Sequence, residues 1–400
     1  MNSRLDQLLR KEIEKLKGAE LYRILKRIES PMNPTVVIEG RELILFSSNN
    51  YLGLATHPKL KEASLHALNR YGTGSGASRL ISGNMDIHEE LERRIAQFKN
   101  CEAAIVFPTG YMANIGLITS LAGKGDLILS DELNHASIID GCRLSGADIQ
   151  IYPHKDAKAL WHMLSEDDEA FVDEVNRKRI IITDGVFSMD GDIASLPDIL
   201  RVAEEYDAFV IVDDAHSTGV LGEGGRGTAE HYNISNSENL IQMGTFSKAL
   251  GGMGGFVAGS EVLIDYLKNR ARCFVYSTAL PPSVCASSIA AIDLIDSEPG
   301  IRQSLWRNVG MLIRGLHDLG YDTMGSQTHI VPILIRDTGQ TMKFAQALID
   351  AGIYAPGIRP PTVPEKMSRI RVSLMASHND EHINRALTVF QDVGRRLSII

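Results

Sequence analysis

Lys248 is the only charged residue in the window from Ile241 to Ser260. A lysine wedged among apolar and glycine residues is desolvated, so its pKa falls and its amine becomes free to form a Schiff base. Upstream, Asp213 and Asp214 leave the apolar run Ala208–Val212, and His216 follows three positions after Asp213. That pairing could bind a metal, belong to a hydrolase, or grip a heterocycle. A metal lacks a third ligand at suitable spacing. A serine hydrolase lacks its G-x-S-x-G elbow. His135, in Asn134-His135-Ala-Ser137, supplies a ring that could stack, although Asn134 or Ser137 could simply cap a helix. In Pro108-Thr109-Gly110-Tyr111, Gly110 opens a helix directly after a strand, where free backbone N–H groups can face an anion such as a phosphate.

A phosphate cradle, a stacking ring, a buried acid, a histidine and an isolated lysine are the parts that pyridoxal phosphate needs. The Lys248 segment is no nucleotide-triphosphate loop, because Ala249 follows the lysine where Ser or Thr is required. The elements that must position these groups repeat as short apolar strand, polar or glycine turn, and helix. The strands are expected at Ala103–Phe107, Asp126–Leu129, Arg179–Thr183, Ala208–Val212, Leu240–Met243 and Gly255–Ala258. Such alternation predicts an α/β fold with a mostly parallel sheet covered by helices on both faces. Ligands then gather beyond the carboxyl ends of the strands. The candidate groups occupy those ends.

Around this large domain, expected over 48–288, lie two smaller parts. Residues 1–47 read as an arm, with apolar residues at helical spacing from Leu5 to Ile28 and a hairpin over 35–47 turning at Glu39-Gly40. Residues 289–400 read as a smaller α+β domain, with helices near 300–318, 341–351 and 379–397 and strands Ile330–Ile335 and Arg369–Leu374. A net charge of −9 offers no footprint for nucleic acid or an anionic membrane. The uncharged windows 103–123 and 273–292 contain turn residues and read as buried units, not membrane spans. Four scattered cysteines form no disulfide framework, and no apolar leader follows the basic N-terminus, so the cytoplasm is expected.

Over essentially the whole chain the sequence resembles the α-oxoamine synthases, which are fold-type I pyridoxal-phosphate enzymes. The resemblance rests on Ser47-Ser-Asn49-Asn-Tyr-Leu-Gly-Leu, Tyr71-Gly-Thr-Gly-Ser-Gly-Ala-Ser-Arg79, Asn134-His135-Ala-Ser, Asp184-Gly-Val-Phe-Ser188-Met-Asp-Gly, Asp213-Asp-Ala-His216 and Thr245-Phe-Ser-Lys248. It implies that Lys248 is the Schiff-base lysine and the base for the Cα proton. Asp213 would partner the pyridine nitrogen, and His135 would stack on the ring. Ser188 and His216 would contact the phenolic oxygen, and Gly110, Tyr111 and Thr245 would hold the phosphate. Ser277 and Thr278 would reach the phosphate of a second subunit, implying a homodimer with shared sites. Arg371, with Asn49 nearby, would clamp the amino acid carboxylate as a fork that lysine cannot reproduce.

The implied reaction is decarboxylative condensation of a small amino acid with an acyl thioester. Ile358-Arg359-Pro-Pro-Thr362-Val-Pro364 resembles the branch that makes 8-amino-7-oxononanoate from L-alanine and a pimeloyl thioester for biotin, with Thr362 lining the acyl site. Arg23 stands where that branch uses a substrate-binding arginine. The segments 134–141 and 183–191 read closer to the branch that joins glycine to acetyl-CoA, and that alternative stays open. Nicotinamide binding is disfavoured because no G-x-G-x-x-G follows a strand. A catalytically silent binding protein is disfavoured because every chemical group of the family is present.

Overall fold

The computed structural model describes residues 3–19, 21–170, 177–234 and 237–400. Its centre is a seven-stranded sheet. After the hairpin of β1 (Thr35–Ile38) and β2 (Arg41–Leu45), the sheet uses β3 (Ala103–Phe107), β4 (Leu127–Asp131), β5 (Asp148–Tyr152), β6 (Arg179–Asp184), β7 (Phe209–Asp213), β8 (Leu240–Thr245) and β9 (Gly255–Gly259). The strand order is β3-β9-β8-β7-β6-β4-β5. Only β9 runs against its neighbours. Strands β6, β7 and β8 are almost wholly buried, as expected where helices cover both faces. β5 is the one strand of this sheet that the apolar pattern does not announce. It lies at an edge and is mostly exposed, so its residues carry little hydrophobic signal.

The C-terminal region contains β10 (Ile330–Arg336), the two-residue strands β11 (Ile353–Tyr354) and β12 (Gly357–Ile358), and β13 (Ser368–Ser373). β13 lies between β10 and β12, antiparallel to both. The β1–β2 hairpin turns at Glu39-Gly40, both with positive φ, and adds β11 in parallel to β2. One hydrophobic cluster runs from Phe46, Tyr51 and Phe246 to Ile330, Val372 and Phe390, so the C-terminal region and the main sheet share a core.

At the N-terminus the helix covers Arg4–Gly18, capped by the Ser3 hydroxyl, which accepts from the Asp6 N–H at 3.0 Å. The helical spacing expected to continue to Ile28 stops at Gly18. No residue of this helix is buried, so local propensity decides its length, and glycine terminates it. Among the described residues no helix is long and apolar enough to cross a membrane.

The loop that carries His135 is braced from behind. His154, just past β5, sits between two carboxylates: Nδ1 is 2.9 Å from Asp131 and Nε2 is 3.0 Å from Asp192. Burial opposes the charged imidazolium, but the two carboxylates outweigh it and raise the pKa to about 9. The folded-state value lies above the ordinary 6.5, so this contribution is complete below that pH and is lost as pH rises through about 9. At roughly 2 kcal/mol after discounting for solvent, it is large enough to read in melting curves. The wild-type Tm should fall between pH 6.5 and 9.5 more than that of His154→Phe. Parallel Tm profiles would show that the charge on His154 does not stabilise the fold.

Candidate active site

The carboxyl ends of β3, β4, β6, β7 and β8 surround a cavity of about 220 Å³. Gly110, Tyr111, His135, Asp213, His216, Thr245 and Lys248 all line it, together with Thr109, Asn114, Ser137, Asp184 and Ser247. At one end the helix Gly110–Leu121 begins, its N-cap Thr109 accepting from Met112 N–H at 3.1 Å. A helix N-terminus open to the cavity favours an anion. Gly255, opposite, must be glycine: a Cβ there would lie 2.6 Å from the Cα of Gly110.

Asp213 is the last residue of β7 and is nearly inaccessible. Its Oδ2 accepts from Asn114 Nδ2 at 2.7 Å, and its Oδ1 accepts from Ala215 N–H at 2.9 Å. Asn114 Nδ2 also donates to Ser137 Oγ at 2.9 Å, which lies 2.8 Å from His135 Nδ1. The Ser137 N–H points at the same nitrogen, so Nδ1 is the acceptor and Nε2 carries the ring proton. Burial holds His135 below the ordinary histidine value, and nearby Lys248 adds to that against the opposing charge of Asp213. The imidazole is neutral at neutral pH.

Burial also lowers the pKa of Lys248, with Asp213 and Asp184 pulling the other way and Arg371 reinforcing the fall. Asp184, the last residue of β6, is pushed well above the usual carboxylate range by burial and by the charge of Asp213; Lys248 opposes this. Asp184 accepts from the backbone N–H of His135 at 3.0 Å and so ties β6 to the histidine loop.

On the far side, the Tyr51 hydroxyl donates to Asn49 Oδ1 at 3.0 Å and lies 2.7 Å from His216 Nδ1. Burial drives the Tyr51 pKa up to about 12 despite the nearby Arg371 guanidinium. His216 is held well below its ordinary value by burial and then by Lys248 and Arg371. Arg371 donates from Nε to the carbonyl of Ser188 at 2.6 Å and from Nη1 to Ser373 Oγ at 2.8 Å. Asn49 and Arg371 therefore adjoin the cavity through the Tyr51–His216 contact. Ser188 is not among the residues lining the cavity; its carbonyl accepts from Arg371.

Four expected residues are not brought to this cavity within the chain. Arg23, Thr278 and Thr362 are exposed, and Ser277 is half-buried. Thr278 forms an isolated bridge with Ser78. Conversely, sequence reasoning assigned no role to Asn114, Asp184, Tyr51 or Ser247. Asn114 had a signal, as the lone amide in the apolar helix GYMANIGLITSL. Tyr51 and Asp184 stood inside recognised motifs without a function attached.

The donor set fits pyridoxal phosphate. An anchored carboxylate at the cavity's depth suits a protonated ring nitrogen, a neutral imidazole suits a ring face, a helix N-terminus suits the phosphate, and a deprotonatable lysine suits the aldehyde.

Known proteins agree with this geometry. The family model for aminotransferase class I and II matches residues 41–390. The 8-amino-7-oxononanoate synthase of Geotalea daltonii is 50% identical over 395 residues, covering 98% of this chain and 99% of its own. That of Thermoanaerobacter pseudethanolicus is 49% identical, with 98% of both chains covered. Among solved structures, serine palmitoyltransferase from S. paucimobilis, with PLP bound, superimposes with a TM-score of 0.91 at 33% identity over 100% of both chains. The 8-amino-7-oxononanoate synthase from Francisella tularensis gives a TM-score of 0.75 at 29% identity, over 90% of this chain and 99% of that one. Its fold and these relatives make the chain a member of the aminotransferase class I and II family, among the pyridoxal-phosphate acyltransferases related to 8-amino-7-oxononanoate synthase.

Proposed function

We propose that the protein condenses L-alanine with a pimeloyl thioester to give 8-amino-7-oxononanoate, CO₂ and the free thiol, a step of biotin synthesis. The observation that carries this reading is near-50% identity, end to end, with relatives of that name. The cavity supplies the machinery. Bound pyridoxal phosphate provides an electron sink for the pair left when the amino acid's Cα–H bond breaks. Asp213, held by Asn114 and Ala215, keeps a proton on the ring nitrogen. Lys248 Nζ, whose pKa burial lowers, is the nucleophile and then the base that receives the Cα proton. His135, which lines the cavity, would stack on the cofactor's ring. Arg371 holds the substrate carboxylate as a fork, which sets the bond to be broken.

Ser188 and His216 are assigned to the phenolic oxygen, Gly110, Tyr111 and Thr245 to the phosphate, and Asn49 to the amino acid. Ser277 and Thr278 are assigned to a second subunit's site, and Arg23 and Thr362 to the acyl chain. A homodimer is supported by apolar side chains left open near these segments: Leu80, Ile81 and Tyr276, with the row Leu5, Leu8, Leu9 and Leu16 on the N-terminal helix. Four cysteines without a disulfide support a reducing, cytoplasmic compartment.

A thioester panel tests the substrate assignment. Alanine with pimeloyl-CoA should turn over faster than glycine with acetyl-CoA, and the reverse order would move the protein to the glycine branch. The anchoring of Asp213 has its own test. Asn114→Ala should lower kcat/KM roughly tenfold to a hundredfold, as expected for losing a hydrogen bond to a charged group. In an Asp213→Ala background the same change should add little. Equal losses in both backgrounds would show that Asn114 does not act through Asp213.

A further inference from the structure

Two arginines, Arg369 and Arg371, stand two residues apart on β13 and so share one face of the sheet, opposite Leu334 and Pro332 of β10. Both reach the same short turn, Ser188–Gly191, which follows β6 in the main sheet. Arg371 Nε takes the carbonyl of Ser188 at 2.6 Å. Arg369 Nη1 takes the next two residues: the Met189 carbonyl at 3.2 Å and the Asp190 carboxylate at 2.7 Å. The turn is gripped again at its end, where the Gly191 carbonyl accepts from Thr328 Oγ1 at 2.8 Å and Gln327 N–H at 3.1 Å. Gly191 has φ +71°, and a Cβ there would lie 1.9 Å from the carbonyl oxygen of Ile330. Such packing leaves the turn no room to shift by itself.

Arg369 is 1% exposed, and among the described residues its guanidinium pairs with a single carboxylate, Asp190. A buried cation without a counter-charge is costly and would attract any anion entering beside it. The substrate carboxylate is such an anion. Arg371, meanwhile, has Nε committed to Ser188 and one Nη1 proton committed to Ser373. The edge left for a carboxylate is the Nη1–Nη2 end of the fork, and its direction depends on where Ser188 stands.

We propose that Arg369 and Asp190 are a positioning pair: by fixing the Ser188–Asp190 turn and neutralising the second guanidinium, they aim Arg371 and leave it as the sole cation for the amino acid carboxylate. The proposal rests on the pyridoxal-phosphate reading of the cavity. Asp190 touches neither cofactor nor reacting atoms. Its side chain is 21% exposed and Asn is its isostere, so Asp190→Asn disturbs the fold less than a change at the buried Arg369.

The test is a titration of wild type and Asp190→Asn with alanine, followed by the cofactor's visible absorption, together with steady-state KM values for alanine and for the thioester. The expected result is alanine binding weakened about tenfold and KM for alanine raised to match, with KM for the thioester within about twofold. Asp190→Glu, which restores the charge, should recover part of the loss. Unchanged alanine binding in Asp190→Asn, or an equal rise in both KM values, would overturn the pair while leaving the cofactor reading intact. A wild-type protein with no visible band responding to alanine would overturn the cofactor reading, and the proposal with it.

Discussion

A carboxylate buried at the end of a parallel strand must be hydrogen-bonded, or it takes up a proton and ceases to be a charge. Asp213 meets that requirement with two donors, Asn114 Nδ2 and the Ala215 N–H, and the rest of the site follows from it. Asn114 lies one turn inside the helix whose N-terminus faces the cavity, so the same helix anchors the acid and offers the anion site. The second bond of Asn114, to Ser137, reaches His135 and sets its tautomer. One amide thus links the depth of the cavity, the ring-stacking face and the phosphate end.

Charge placement divides labour between adjacent residues. Asp213 faces the cavity, whereas Asp214 turns away and pairs with Lys99 at 2.7 Å, both side chains fully buried. Thr228 Oγ1 donates to the same carboxylate at 2.6 Å. A buried ion pair is weak evidence of net stability, but removing either partner would strand the other charge. Asp184 takes a different course. Burial and the neighbouring Asp213 push its pKa well above the usual carboxylate range, with Lys248 opposing. Burial lowers the Lys248 pKa against the pull of both Asp213 and Asp184.

Sequence alone made the strand ends and the isolation of Lys248 legible, because apolar runs and uncharged windows are local patterns. The strand pattern by itself did not separate Asp213 from Asp214, since alternation tells opposite faces apart but not which face meets the cavity; the family resemblance is what assigned the ring nitrogen to Asp213. Asn114 was hidden for a related reason: its partner is 99 residues away, and only packing brings the two together. Edge strand β5 escaped because exposure removes the hydrophobic signal. The N-terminal helix was overextended because apolar spacing continues past Gly18, although Leu21, Ile24 and Leu25 stay exposed in this chain. Arg23, Ser277, Thr278 and Thr362 do not line the cavity of the single chain.

The amino acid end of the site is built from parts that are remote in sequence. Arg371 comes from β13, Ser188 from the turn after β6, and Asn49 and Tyr51 from the segment after the hairpin. A continuous core, from Phe46 and Tyr51 to Ile330 and Val372, joins these regions, and the carboxylate-holding role proposed for them depends on it. Interiors packed at this density move as units, not by gradual deformation. A shift of the C-terminal region would therefore carry Arg371 away from Ser188 and loosen the turn in the same motion. Recognition of the amino acid and alignment of its reacting bond are consequently one mechanical property of the fold, set by how β13 seats against the loop that follows β6.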